Sequence, residues 1–331
     1  MVNIMSSPLA HPARLVSVTF ALLALFAARS GAQAPLHVLV GHSDRVEGIA
    51  FSHDGKTLAT AGPDRSFRLW DVVQGKALTF QTPDGPVPAV VDVGVAIEEV
   101  LFAPVPDADP LHLGARKGPA PSRLAVVGAD RSVTLWDAKT GSILARHDGE
   151  AKPVHGVSFD ARGRLMTTAA WDHRNAQRMW EVGTGVDRGA SNVFVPMTRS
   201  ISFTPEGATL ALGDFNGKVR LRDVPRNAIK AEFQAHDDAV WCSTFYLDGS
   251  VLATGGGKGR VRFWDANDGR LLASLDAHAG GVRGLCFSPD GSKLATGGVD
   301  RTAKIWDVAA VLEAAESAPQ GGEDAPPAGS P

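Results

Sequence analysis

The chain has 331 residues, with 33 basic and 36 acidic side chains and a formal net charge of −3. That balance has no basic surplus of the kind that general nucleic-acid or anionic-membrane binding requires. It has two cysteines, Cys242 and Cys286, with no C-x-x-C pair and no C-x-x-C-H, which excludes a zinc ribbon and covalently attached haem.

The first 34 residues differ from the rest. Arg14 precedes LVSVTFALLALFAA, an uninterrupted apolar stretch, and SGAQA follows with small residues suited to cleavage. The stretch is shorter than the ~20 apolar residues of a comfortable membrane span. Residues 1–34 therefore read as a secretory signal. Pro35 favours cleavage after Ala32 over Ala34, and an uncleaved N-terminal membrane anchor is the alternative. Together with a composition rich in Ala, Gly, Pro and Arg, this predicts a bacterial protein that is secreted or periplasmic.

From Leu36 onward one pattern recurs. GHSDRVEGIAFSHDGKTLATAGPDRSFRLWD ends at Trp70-Asp71, AHDDAVWCSTFYLDGSVLATGGGKGRVRFWD at Trp264-Asp265, and AHAGGVRGLCFSPDGSKLATGGVDRTAKIWD at Trp306-Asp307. Units end near 71, 137, 181, 223, 265 and 307, with Glu181 in place of Asp in the third. Successive ends from Glu181 to Asp307 are 42 residues apart. Between Asp71 and Asp137 the interval is 66, and the excess is too short for another unit of ~40–45 residues. It divides into a longer connection between Asp71 and Ile97 and an insertion between Phe102 and Leu124. Within each unit, short β-branched and apolar runs alternate with Asp-, Gly- and Pro-rich turns, which predicts strands. No helical spacing of apolar residues appears between Leu36 and Val308.

These units resemble the WD40 family from Leu36 to Val308. The resemblance implies an all-β, six-bladed WD40 β-propeller over residues 35–310, one four-stranded blade per unit. It also implies a buried hydrogen-bond network within each blade. Two units match that network in full, with His42, Thr60, Asp64 and Trp70, and with His278, Thr296, Asp300 and Trp306. The fifth unit keeps His236, Thr254 and Trp264 but has Lys258 at the Asp position. The second has Val126 at the Thr position and no His. The fourth has Leu212, Asn216 and Arg222 and keeps almost nothing, so the middle blades are expected to be the less rigid ones. In this family the segment before the His forms the outer strand of the preceding blade. LHVLVGH, Leu36–His42, has no blade before it, so it is expected to complete the last blade and close the ring. Residues 311–331, rich in Ala, Pro, Gly and acid, read as a disordered tail. Cys242 and Cys286, on the first strands of neighbouring units, read as buried thiols, with a disulfide left open.

The resemblance places binding on the face reached by the entries to the first strands and by the turns before the blade Asp. The first set is Glu47, Glu98, His155, Arg199, Trp241 and Arg283. The second includes Trp171 and Phe215, with Met197 on the same rim. Aromatic, Met and Arg side chains are enriched at interface centres, so this sector is expected to hold a protein or peptide partner. The other candidate is the pair of Pro-rich insertions, since loops on rigid scaffolds often carry function. No nucleophile elbow, metal-binding His pair or phosphate-binding Gly loop is present, so the chain reads as a non-catalytic, monomeric scaffold with no cofactor or metal. A carbohydrate-binding propeller and a propeller enzyme with a channel site are the rival readings.

Overall fold

Alternating β-branched runs and Asp-Gly turns give antiparallel strands in every unit. The computed structural model describes residues 34–82, 85–102, 123–130, 132–147, 154–159, 165–170, 177–181, 187–190 and 198–317, the strands between 154 and 190 by backbone alone. A first strand, β1 (His37–Val40), precedes the units. The first unit holds β2 (Gly48–Phe51), β3 (Thr57–Ala61), β4 (Ser66–Asp71), β5 (Lys76–Ala77), β6 (Thr79–Thr82), β7 (Gly85–Pro88) and β8 (Val90–Asp92). The second holds β9 (Ile97–Phe102), β10 (Arg123–Gly128), β11 (Val133–Asp137) and β12 (Ser142–His147). The third holds β13 (Val154–Phe159), β14 (Leu165–Ala170), β15 (Gln177–Glu181) and β16 (Asp187–Ala190). The fourth holds β17 (Thr198–Phe203), β18 (Thr209–Asp214), β19 (Lys218–Asp223) and β20 (Ala228–Gln234). The fifth holds β21 (Val240–Phe245), β22 (Val251–Gly256), β23 (Arg260–Asp265) and β24 (Leu271–Asp276). The sixth holds β25 (Val282–Phe287), β26 (Lys293–Gly298) and β27 (Thr302–Asp307).

In units two to five the four strands pair in sequence order within one sheet. In the sixth, β1 supplies the fourth strand, pairing antiparallel with β27 from His37↔Ile305 to Val40↔Thr302. In the first, the outer edge of β4 is shared: β5 pairs with Trp70 and Asp71, and β8 with Ser66 to Arg68. Between them β6 and β7 form a separate hairpin. The long Asp71–Ile97 connection is therefore largely strand. The second insertion, 103–122, lies outside the described residues.

First strands touch in series: β2 meets β9, β9 meets β13, and β13, β17, β21 and β25 follow in turn until β25 meets β2. Small residues permit the approach. A Cβ on Gly255 would lie 2.8 Å from Val282 Cγ1, and one on Gly297 the same distance from Val46 Cγ1. The second contact joins the last unit to the first. The core follows the same seams. Leu39 of β1 packs with Leu58, Trp70, Ala303 and Ile305, all buried. Phe67 of the first unit meets Trp136 of the second edge-on, with ring centroids 5.3 Å apart.

The Asp that ends a unit is a turn former. Asp71 Oδ1 accepts the N–H groups of Val73 and Gln74, and Asp137 Oδ1 those of Lys139 and Thr140. At Asp307 the same geometry starts a helix. Its Oδ1 accepts the Ala310 N–H at 3.0 Å, capping α1 (Val308–Ser317). The tail expected to be disordered from 311 is corrected accordingly, since residues 308–317 are helical and contact β24 and β27. Val308 and Val311 are buried and Leu312 packs beside them, a three- and four-residue spacing that gives the helix an apolar stripe. Residues 318–331 lie outside the described residues.

Candidate binding face

The buried network comes first, because it fixes the turns that carry the face. In the first unit Trp70 Nε1–H donates to Thr60 Oγ1 at 2.8 Å, Thr60 Oγ1 meets His42 Nε2 at 2.8 Å, and His42 Nδ1 meets Asp64 Oδ2 at 2.8 Å. In the sixth the distances are 3.0 Å for Trp306–Thr296, 2.7 Å for Thr296–His278 and 2.9 Å for His278–Asp300. A neutral imidazole satisfies the whole chain: Thr O–H donates to Nε2, and Nδ1–H donates to the carboxylate. Burial holds both imidazoles below their ordinary pKa, although Asp64 and Asp300 pull the other way. In the fifth unit His236 and Trp264 share Thr254 Oγ1, each at 2.9 Å. Lys258 points to Asp237 instead, at 3.4 Å. Without a facing carboxylate, burial, helped by Arg262, lowers His236 to about 3.

The units that depart from the pattern are rewired. In the second, Val126 stands where Thr is expected, and its cross-strand partner is Thr134. Thr134 Oγ1 accepts Trp136 Nε1–H at 2.8 Å, so the hydroxyl has moved directly across the ladder. In the fourth, Asp214 occupies the position of Gly256 and Gly298. A Cβ on those glycines would collide with the imidazoles of His236 and His278. Where Phe194 stands in the sequence in place of His, that position carries a carboxylate. Buried Asp214 accepts the N–H groups of Asn216 and Lys218 and pairs with Arg220 at 2.8 Å. Arg220 also bonds Glu232 at 2.7 Å, and Arg222 bonds Asn227. The fourth unit therefore has a polar network of its own where none was expected.

The face itself is built by a repeated irregularity. In β9, β13, β17, β21 and β25 the register with the next strand skips one residue near the strand entry. The skipped residues are Glu98, His155, Arg199, Trp241 and Arg283. Such a bulge leaves one residue out of the ladder and turns its side chain away from the normal alternation. Glu98, Arg199, Trp241 and Arg283, with Glu47 from the entry to β2, line one open cavity of about 490 Å³ counting its mouth. It sits where the first strands converge. The His155 side chain, Trp171 and Met197 lie outside the described residues.

Glu47 and Arg199 are buried. Glu47 Oε1 accepts Arg45 Nε–H, and its Oε2 lies 3.7 Å from Arg199 Nη2. Trp241 is half-buried. Phe215 meets its ring edge-on at 5.6 Å between centroids, and the Arg283 guanidinium carbon lies 3.4 Å from its centroid. Arg199 approaches the same ring at 5.2 Å. The indole is thus the floor of a cation–π stack more than a bare anchor. Burial lowers Arg283 from its ordinary value; Glu47 opposes this, and Arg199 and Arg45 add to it.

Cys242 and Cys286 are both free thiols. Cys242 lies behind Trp241 with its Sγ 3.8 Å from the Val282 carbonyl, and burial raises its pKa. Burial pushes Cys286 up to about 12, so neither sulfur has nucleophilic character at neutral pH. Among the described residues no three His, Cys, Asp or Glu are grouped to hold a metal ion, and no helix is long and apolar enough to cross a membrane.

Stranded units in tandem, four of the six closed by Trp-Asp and each touching the next through its first strand, define a sheet-repeat protein. Three segments of the chain, residues 33–71, 228–265 and 269–307, match the family model described as "WD domain, G-beta repeat". The chain is similar to pre-mRNA-processing factor 17 of Homo sapiens, 25% identical over 263 residues, which is 64% of this chain and 41% of that protein. It is similar to the periodic tryptophan protein 2 homolog of Mus musculus, 22% identical over 57% of this chain and 22% of that protein. It also resembles telomerase protein component 1 of Rattus norvegicus, 24% identical over 60% of this chain and 8% of that protein. It thus spans well under half the length of these relatives. They correct the expectation of a secreted or periplasmic bacterial protein. All three are proteins of eukaryotes, one named for pre-mRNA processing and one as a telomerase component, and none is named for export. Residues 1–33, on which that expectation rested, lie outside the described residues.

Proposed function

We propose that the chain is a closed six-bladed WD40 propeller acting as a non-catalytic, monomeric platform. It docks a protein or peptide segment on the face formed by Glu47, Glu98, Arg199, Phe215, Trp241 and Arg283. By their sequence positions His155, Trp171 and Met197 extend the same face. The observation that carries this reading is the bulge repeated in five sheets, four of whose skipped residues, Glu98, Arg199, Trp241 and Arg283, line a shared cavity. Paired arginines around an aromatic ring are interface chemistry. The pairing of β1 with β27 and the contact of β25 with β2 support closure, which removes open sheet edges. The net charge of −3 favours a protein segment over nucleic acid as the partner. Two relatives are named for RNA-linked assemblies, and by analogy the partner is a subunit of a larger complex.

Site-directed photo-cross-linking tests this reading. A photoreactive residue replacing Glu98 should trap a discrete protein in extract, and the same residue replacing Asp248, on the exposed β21–β22 turn, should not. Equal trapping at both positions, or trapping only at 248, contradicts the proposed face.

A further inference from the structure

Among the described residues of the face, the stacked guanidinium of Arg283 is the one cation that forms no ion pair with a carboxylate. Arg45 and Arg199 both engage Glu47, and Glu98 and Glu99 have contacts of their own. Arg283 has neither a salt bridge nor a hydrogen bond to any described residue, and its Nε is buried without an acceptor. A buried donor left without an acceptor costs about 1–3 kcal/mol, more when the group is charged. Stacking at 3.4 Å on Trp241 holds the guanidinium plane against the indole. Phe215 in turn braces that ring from the neighbouring sheet. A guanidinium fixed in this way offers its in-plane N–H groups as a preformed fork, a geometry that matches a carboxylate bidentately. Because the fork is already ordered, little side-chain entropy is lost when an acid binds.

Building on the platform reading, we propose that Arg283, positioned by Trp241, is a receptor for the carboxylate of an Asp or Glu side chain in the docked segment. The acid enters the cavity between β21 and β25 and bonds the Arg283 fork, and Arg199, 5.2 Å from the same ring, adds positive potential. An acidic side chain is favoured over a second cation because Arg283 and Arg199 already crowd that wall. Burial disfavours the charged form of Arg283, and a bound carboxylate relieves that penalty.

The test uses the full chain as bait for a phage-displayed library of random 12-residue peptides. Selected sequences are resynthesised with amidated C-termini, so that only side chains supply carboxylates. The expected result is a shared Asp or Glu whose change to Asn or Gln weakens binding at least tenfold. Arg283→Gln should cause the same loss, and the two changes combined should cost little more than either alone. Arg283→Lys keeps the charge without the fork and should fall between. A melting temperature close to wild type confirms that the variants are folded. Peptides that need Trp241 but have no acid, or that bind Arg283→Gln undiminished, overturn the carboxylate receptor and leave the platform standing. If no peptide is selected, or if selected peptides are indifferent to Trp241→Ala and Arg283→Gln alike, the docking face fails and the receptor with it.

Discussion

Replacing Thr296 by Val isolates the buried network from packing. Val has nearly the same shape, so no cavity forms, and Thr296 is fully buried in a strand where Val is favoured. The change removes one hydroxyl with two duties. Trp306 Nε1–H loses its acceptor at 3.0 Å, and His278 Nε2 loses its partner at 2.7 Å, both inside the sheet. Each buried group left without a partner costs about 1–3 kcal/mol, so the variant should lose roughly 3–4 kcal/mol. At about 2–4 °C per kcal/mol for a domain of this size, the melting temperature should fall by roughly 6–16 °C. The second unit supplies the control. There Val126 faces Thr134 across the ladder, and Thr134 takes the Trp136 N–H. Thr296 faces Lys304 in the same register. Adding Lys304→Thr to Thr296→Val should therefore return a hydroxyl to Trp306 and recover about half of the loss, less the Lys304 bond to the Ala277 carbonyl. Urea unfolding with tryptophan fluorescence measures both variants. A loss under about 0.5 kcal/mol for the single change, or no recovery in the double, would refute the reasoning.

The remaining predictions concern pH, the N-terminal strand and the helix. Because His236 stays neutral down to about 3, the unfolded chain takes up its proton first as the pH falls below the ordinary 6.5. This contribution to stability is therefore full above 6.5 and is lost progressively toward pH 3. Lys258→Asp restores the carboxylate found in the first and sixth units, and NMR titration should show the His236 pKa rising. Leu39→Ala should cost about 2–5 kcal/mol, since Leu39 is buried among residues of the first and last units; Val38→Ala, with its exposed side chain, should cost almost nothing. Val311→Asp places a charge in the seam between α1 and the fifth and sixth units and should detach the helix, with loss of ellipticity at 222 nm and accelerated proteolysis after residue 308.

The strands were legible because the units repeat similar turn residues and four of the six end on Trp-Asp. The complete networks of the first and sixth units were legible for the same reason. The rewired units were not, because a hydroxyl that moves from Val126 to Thr134 keeps its place in space while changing its place in sequence. Asp214 was hidden similarly: it looks like an ordinary turn acid until the glycines at the matching positions are seen to make room for an imidazole. Positions on the face could be carried over from the family pattern, but not their mechanical cause, since a bulge is a relation between two strands. Nor did the pattern show that Arg283 covers Trp241. The helix after Asp307 was obscured by its Ala-rich composition, although Val308, Val311 and Leu312 already carried a helical spacing.

The most direct test of the docking face is the affinity of the cross-linked partner, once purified, for the wild-type chain and for Trp241→Ala, measured by calorimetry beside a melting curve. The account predicts at least a thirtyfold weaker dissociation constant, about 2 kcal/mol as for an interface hot spot, with the variant still folding cooperatively. An unchanged affinity in a folded variant would contradict it.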